Sequence, residues 1–357
     1  MNSRENLLTT LRRKVPDRVP IDLDWCGFNR EAFRLFREKT GSDNPHSYFG
    51  ADKNFEYVGL RPTMVNLKER YSSFYQNLSP SATISEWGIA SVPGSNPAFD
   101  LMFHPLEKAG TLKEIEDYPI PDWEEAYRYE GLDKQINNVK KNGFAAASET
   151  VRFFELPCWM RGHSELFTDF LVREDMAACL LDRITSLNSF LAKRYAEMGV
   201  DIIFVGDDAG MEDRMMISPD TWRKWIKPRF GRVIKEAKEI SPDVLIWFHS
   251  DGYIEPIIPD LIEVGVDILN PVQPECMDPA KIKKSYGDKL AFWGTIGIQT
   301  TLPFGTPEEV RDVVKERIET VGEGGGLVIG PTHAIEPEVP LENLTAFVEA
   351  AREYGKY

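Results

Sequence analysis

In the second half of the chain, short unbroken apolar runs alternate with longer stretches in which apolar residues recur every three or four positions. The runs are "DIIFVGDD" (201–208), "VLIWFHSD" (244–251), "VDILNPV" (266–272), "LAFWGTI" (290–296) and "GLVIGPTH" (326–333). Such runs, lacking polar alternation, predict strands buried on both faces, as parallel sheets require. The stretches between them carry helix start signals. Ser218-Pro219-Asp220 and Asp278-Pro279 each set a capping side chain before a proline at the first helical position, and Thr306 with Glu309 reads as a capping box. Five strand–helix units in succession, in a chain of 357 residues, favour an α/β fold closed as a (β/α)8 TIM barrel over an open sheet.

The first half has a weaker rhythm. "RVPIDLDW" (18–25) and "GFAAASE" (143–149) predict two further strands, and "SELFTDFLV" and "MAACLLDRITSLNSFLAKRYAEMG" predict helices. Residues from about 50 to 135 hold turn-forming clusters, "NLSPSATISEW" and "SVPGSNPAF", and read as an insertion or irregular segment over the barrel mouth. Leu7, Leu8 and Leu11 lie at helical spacing among charges, which predicts an amphipathic first helix rather than a signal peptide. With no repeat or linker, residues 1–357 read as a single domain.

Composition narrows the partners. A formal charge of −15 and a pI near 5 argue against nucleic acid or an anionic membrane surface, and more weakly against a polyanionic small substrate. Cys26, Cys158, Cys179 and Cys276 are scattered without a C-x-x-C pair, so neither a disulfide framework nor a zinc ribbon is suggested. No apolar run approaches the roughly 18 residues of a membrane span. A cytoplasmic protein is the expectation.

In barrels of this kind chemistry sits at the C-terminal ends of the strands. Those ends hold Asp22 and Asp24, Glu149, Asp207 and Asp208, His249 and Asp251, Asn270 and Gln273, Thr295, and His333. This ring of carboxylates and imidazoles has little cationic counter-charge, and needs protons or a cation to be tolerable. Taken singly, each has a plain structural reading. His249 suits a core histidine, Asp251 a helix cap, Asp207-Asp208 a turn before Gly210, and His333 an exposed loop. Their coincidence on one rim favours a functional cluster and, within it, a metal site with the His249 and His333 strand ends as two walls. Of the five histidines, His46 and His104 lie in the irregular half and His163 opens a helix. Trp25, Phe28, Trp87 and Trp293 would suit a flat substrate, though barrel packing accounts for at least half of them. Arg161 would pair with a substrate carboxylate or with an acid of the ring. "GEGGG" (322–326) precedes a strand and lacks the Gly-Lys-Ser/Thr ending of a phosphate loop.

"SRENLLTTLRRKVPDRVPI", "DIIFVGDDAGMEDRMMISPDTWRKWIKPRF", "DLIEVGVDILNPVQ" and "GGLVIGPTHAI" resemble the uroporphyrinogen decarboxylase superfamily over residues 4–355. The resemblance implies a (β/α)8 barrel and either of two activities, porphyrinogen decarboxylation or corrinoid (cobalamin)-dependent methyl transfer. Where the decarboxylases carry an Arg-rich grip for a polycarboxylate, this chain reads "DLDWCGFNREAF", with Asp22, Asp24 and only Arg30 nearby. That mismatch favours the methyltransferase branch. The zinc methyltransferases use a His-x-Cys pair and a later Cys; the matching positions here are His249, Asp251 and His333. Both thiols are replaced, which weakens thiol methylation as the activity. Two imidazoles and a carboxylate suit Zn2+ as a Lewis acid with an open position. The resemblance thus implies O-demethylation of a methoxylated donor, aromatic donors included, with the methyl passing to a Co(I) corrinoid on a separate carrier protein. Glu149, Asp207 and Asp208 are the expected proton-handling or additional metal-shell residues. Asp22, Asp24, Trp25, Phe28, Arg161, Asn270 and Trp293 are the expected substrate contacts. A homodimer is a further implication. The alternatives are a metal-independent decarboxylase acting on another substrate and a non-catalytic tetrapyrrole-binding barrel.

Overall fold

A computed structural model describes residues 1–25, 27–94 and 100–357. Cys26 and the "SNPAF" end of the second turn cluster lie outside the described residues. Among the described residues ten strands follow in chain order: β1 Phe55–Tyr57, β2 Thr83–Ile84, β3 Ala90–Pro93, β4 Asp100–Phe103, β5 Ala145–Glu149, β6 Ile202–Gly206, β7 Leu245–His249, β8 Ile268–Asn270, β9 Ala291–Ile296 and β10 Leu327–Pro331. Seven form one parallel sheet in the order β1-β5-β6-β7-β8-β9-β10. The sheet curls into a barrel. Its seam is closed by Ile21, which forms a parallel bridge to Ile329 on β10, while Asn54 beside β1 donates its amide to the Ile21 carbonyl at 2.8 Å.

The barrel follows from side-chain alternation along each strand. Phe55, Ala145, Ala147, Ile202, Phe204, Leu245, Trp247, Ile268, Ala291, Trp293 and Val328 point inward as one buried cluster. The other face of each strand packs under the surrounding helices in a second, larger core. Leu7, Leu8 and Leu11 of the first helix, Ser3–Leu11, join the inner cluster and stopper the N-terminal end. Arg4 locks that helix down through two bonds to Asp201, at 2.6 and 3.0 Å. Near the other end Trp247 and Trp293 stack at 4.0 Å, making a dry floor.

The expected capping signals are formed. Ser218 and Asp278 cap helices starting at Pro219 and Pro279, and Thr306 with Glu309 makes a capping box. Two expectations need correction. "RVPIDLDW" makes two isolated bridges, Arg18 to Lys356 and Ile21 to Ile329, rather than a full strand: Pro20 offers no N–H, and the Asp22 side chain turns the chain by accepting the N–H of Asp24 at 2.9 Å. The segment 50–135 is also less irregular than its turn clusters suggest. It begins with barrel strand β1 and carries the antiparallel sheet β2-β3-β4. Among the described residues, no helix is long and apolar enough to cross a membrane.

Candidate functional site

β6 and β7 are neighbours in register, with Gly206 opposite His249, so the residues that follow them emerge side by side. The two loops then cross backbone to backbone. A Cβ on Gly210 would stand 2.5 Å from the Asp251 carbonyl oxygen, and Gly252 adopts a φ of +76° against Met211. Only glycine permits this approach. The crossing is pinned by Tyr253 donating to the Met211 carbonyl at 2.7 Å, Asp251 N–H donating to Asp208 Oδ1 at 2.8 Å, and Gly252 N–H donating to Gln273 Oε1 at 3.0 Å.

Asp208, His249 and Asp251 are thereby brought together, with one ligand atom from each inside a span of 4.8 Å. The His249 ring is oriented from behind. Its Nδ1 lies 2.7 Å from Asn270 Oδ1, and the Asn270 amide is fixed by donating to the Trp293 carbonyl at 2.7 Å. Nδ1 therefore carries the hydrogen, and in the neutral ring the lone pair sits on Nε2. That Nε2 faces Asp208 Oδ1 at 3.4 Å and Asp251 Oδ2 at 3.9 Å. These separations exceed an ordinary hydrogen bond and leave room for a cation between the three groups. Trp25 covers the imidazole at 4.5 Å.

His333 stands on the open side, half exposed, with Nε2 3.9 Å from the same Asp251 oxygen. It is not one of the three groups that converge; Asp208 takes the place the sequence assigns to it. His333 and Asp251 instead line a cavity of about 270 Å3 with Glu212, Gln273 and Thr332. Thr332 is buried, and its Oγ1 has no partner among the described residues.

The remaining sequence candidates divide. Asp207 is fully buried and accepts the N–H groups of Phe154 and Glu155, both at 2.8–3.1 Å, so it anchors the helix Glu155–Arg161. Burial pushes its carboxyl up to about 7 despite those two donors. Asp22 is likewise raised by burial to about 6, and it holds Trp293 Nε1 at 2.8 Å and Trp25 N–H at 3.4 Å. It positions the indole above His249. Asp24 pairs with His46 Nε2 at 2.5 Å. Asn270 and Trp293 orient the site from below.

Three expectations are overturned by geometry. Arg161 is wholly buried and bonds Asp169 at 2.8 Å and two backbone carbonyls, so its guanidinium is engaged within the core. Phe28 packs on Phe36 at 5.5 Å, beside Ile335. Glu149 is not among the three converging groups; it lines a cavity of about 480 Å3, where Arg152 stands 3.7 Å from it. Burial raises its carboxyl, against the pull of Arg152.

Glu155 and Arg152 were missed. Glu155 Oε2 accepts the Asp208 N–H at 2.9 Å and Arg152 Nε at 3.0 Å. Its carboxyl is raised strongly by burial, with Asp208 and Asp207 adding to the effect. The only sequence signal is their position, three to six residues past the end of β5, within "TVRFFELP".

The arrangement makes a prediction for the support of the ring. Asn270→Leu removes the acceptor for Nδ1 while keeping volume. It is expected to weaken divalent-cation binding by roughly 10–100-fold with the fold intact, measured by calorimetric titration alongside far-ultraviolet circular dichroism. Unchanged affinity would show that the amide does not orient the imidazole.

Comparison with known proteins agrees with this architecture. The profile of the family described as "Uroporphyrinogen decarboxylase (URO-D)" matches residues 89–354. The chain is 29% identical over 182 residues to the "Methylcobamide:CoM methyltransferase MtaA" of Methanosarcina barkeri, covering 51% of this chain and 50% of that one. It is 27% identical over 183 residues to the "Methylated-thiol--coenzyme M methyltransferase" of Methanosarcina mazei, covering 50% of this chain and 45% of that one. It thus spans about half the length of these two relatives. A "Uroporphyrinogen decarboxylase" of Legionella pneumophila is 24% identical over 369 residues, covering 97% and 96% of the two chains. Among solved structures, a "methyltransferase from Methanosarcina mazei" superposes with a TM-score of 0.67 at 18% identity over 99% of both chains, which speaks for the fold. The chain belongs to the uroporphyrinogen decarboxylase family.

Proposed function

We propose that this protein is a corrinoid-dependent methyltransferase that demethylates a methoxylated donor, passing the methyl to a Co(I) corrinoid carried by a partner protein. The observation that carries this reading is the His249 Nε2 lone pair facing two carboxylates at 3.4 and 3.9 Å, with no lysine or arginine among the three groups. The donor set fits a divalent cation: one imidazole and two carboxylates are hard ligands, suited to zinc in a Lewis-acid role. His249, Asp251 and Asp208 would hold it, and His333 on the open side of Asp251 is the reserve fourth ligand or a contact to the donor. Bound there, zinc would supply electrophilic activation of the donor's oxygen.

The chain's own residues do the rest. Asn270 fixes the tautomer of His249, and Trp25, Trp247 and Phe204 keep water from the floor. Glu155 has Oε2 engaged by Asp208 and Arg152, which leaves Oε1 as the oxygen able to carry a proton for the departing alkoxide or phenoxide. The relatives that carry methylcobamide and thiol methyltransferase names support methyl transfer as the reaction class.

The test combines binding with turnover. Burial raises Asp251 from 3.8 to about 6, so its proton stabilises the metal-free fold below about pH 4, and that contribution is lost as pH rises through 6. A cation must displace the proton, so zinc binding is expected to release protons and to weaken as pH falls through about 6. The loaded protein is expected to methylate cob(I)alamin from methyl ethers and to stop on chelation. Carbon dioxide release from a carboxylated substrate that survives chelation would establish the decarboxylase reading instead.

A further inference from the structure

The residues that follow β5 face two ways. On one side Arg152 and Glu155 reach the acid cluster; on the other, Val151, Arg152, Leu156 and Trp159 wall a cavity of about 440 Å3 closed by the sheet β2-β3-β4. We propose that this cavity seats the aromatic ring of the methyl donor, an uncharged aryl ether, with Arg152 donating to the ether oxygen. The proposal rests on the methyl-transfer reading above and names the substrate class for it.

Size and lining fit one substituted ring, since small-ligand sites begin near about 300 Å3. The walls are apolar and flat. Trp87 is held edge-on to Trp123 at 5.2 Å, and its carbonyl accepts the Tyr118 hydroxyl at 2.6 Å. Trp159 lies under the Arg152 guanidinium at 4.9 Å. Ile84, Ile89 and Met102 close the side formed by the sheet. Two indoles held by such contacts are pre-formed, which lowers the ordering cost of binding a planar ring.

Arg152 joins this cavity to the cluster. Its Nη2 would lie 3.7 Å from a Cβ at Gly206. Gly206 shares the inward face of β6 with Phe204 and stands in register with His249. The absent side chain at 206 therefore lets the guanidinium lean into the barrel mouth beside the imidazole. A ring in the cavity with its ether oxygen on Arg152 would turn that oxygen toward the cluster. Charge selects a neutral ligand. Arg152 already has Glu155 at 3.0 Å and Glu149 at 3.7 Å, and Asp100 also lines the cavity. A ligand carboxylate would add a further anion around a single cation.

Binding of methoxybenzene, cyclohexyl methyl ether and 4-methoxybenzoate to the purified protein, followed by calorimetry and tryptophan quenching, tests this. Saturable binding of methoxybenzene is expected, about tenfold or more tighter than either comparison ligand, a gap equivalent to one good contact. Ser91→Phe, which fills the cavity, is expected to abolish binding. Met102→Trp fills it from the exposed edge strand β4, where folding is not at stake, and should weaken binding at least about tenfold. Arg152→Met should erase the preference for the ether oxygen over plain benzene. No saturable ring binding, binding indifferent to both filling variants, or equal binding of the benzoate would overturn the proposal. Methyl transfer from non-aromatic ethers would then leave the activity standing. Conversely, ring binding that follows these variants without methyl transfer from any donor supports the cavity and removes the activity.

Discussion

Replacing His249 with alanine is expected to strip the cluster of its only convergent nitrogen, so that bound zinc falls to background and methyl transfer drops about a thousandfold or more, the scale of losing a principal electrophilic group. The reason lies in what remains. Asp208 and Asp251 would face each other with no neutral ligand between them, and two carboxylates alone bind zinc weakly and repel each other when it leaves. Folding should persist, because the ring packs on Trp25 while the strand is held by main-chain pairing on both sides. Metal content by elemental analysis and cob(I)alamin methylation read the two effects separately. Full activity in a variant devoid of metal would remove the electrophilic role altogether.

Gly210→Ala should be nearly as damaging by a different route. Its single methyl would meet the Asp251 carbonyl at 2.5 Å and the Tyr253 nitrogen at 2.7 Å, both main-chain atoms that cannot swing aside. The two loops must part, at a cost of about 1–3 kcal/mol typical of overpacking, and Asp208 then separates from Asp251. We expect lower stability in chemical denaturation together with lost zinc affinity. Gly110→Ala, where nothing lies within 4 Å of the added carbon, serves as the neutral comparison. Wild-type affinity in Gly210→Ala would mean that the crossing does not build the cluster.

The barrel was legible because six of its strands are buried on both faces and therefore appear as continuous apolar runs. β1 was not. It pairs on only one side, spans three residues and has a half-buried glutamate at its centre, so no run marks it. The small antiparallel sheet was hidden for a similar reason: all four residues of β4 are exposed, and its turns dominate the local composition. In the site, the His-x-Asp spacing on β7 was readable since it belongs to one strand end. The entry of Asp208 depends on two glycines letting separate loops cross, a relation that no local pattern encodes. Arg161 misled because charge near a strand end suggests a ligand, whereas Asp169, one helix further on, neutralises it within the core.

The leucine stopper at the N-terminal end has a kinetic meaning. With Leu7, Leu8 and Leu11 sealing one end and the stacked indoles of Trp247 and Trp293 in the same inner cluster, the barrel interior is closed from that side. On the proposed reading, a small donor and the bulky carrier protein collecting its methyl would therefore both come to the opposite rim. They would have to queue: what remains of the first visitor would have to clear the rim, or lie flat against its wall, before the second could draw near.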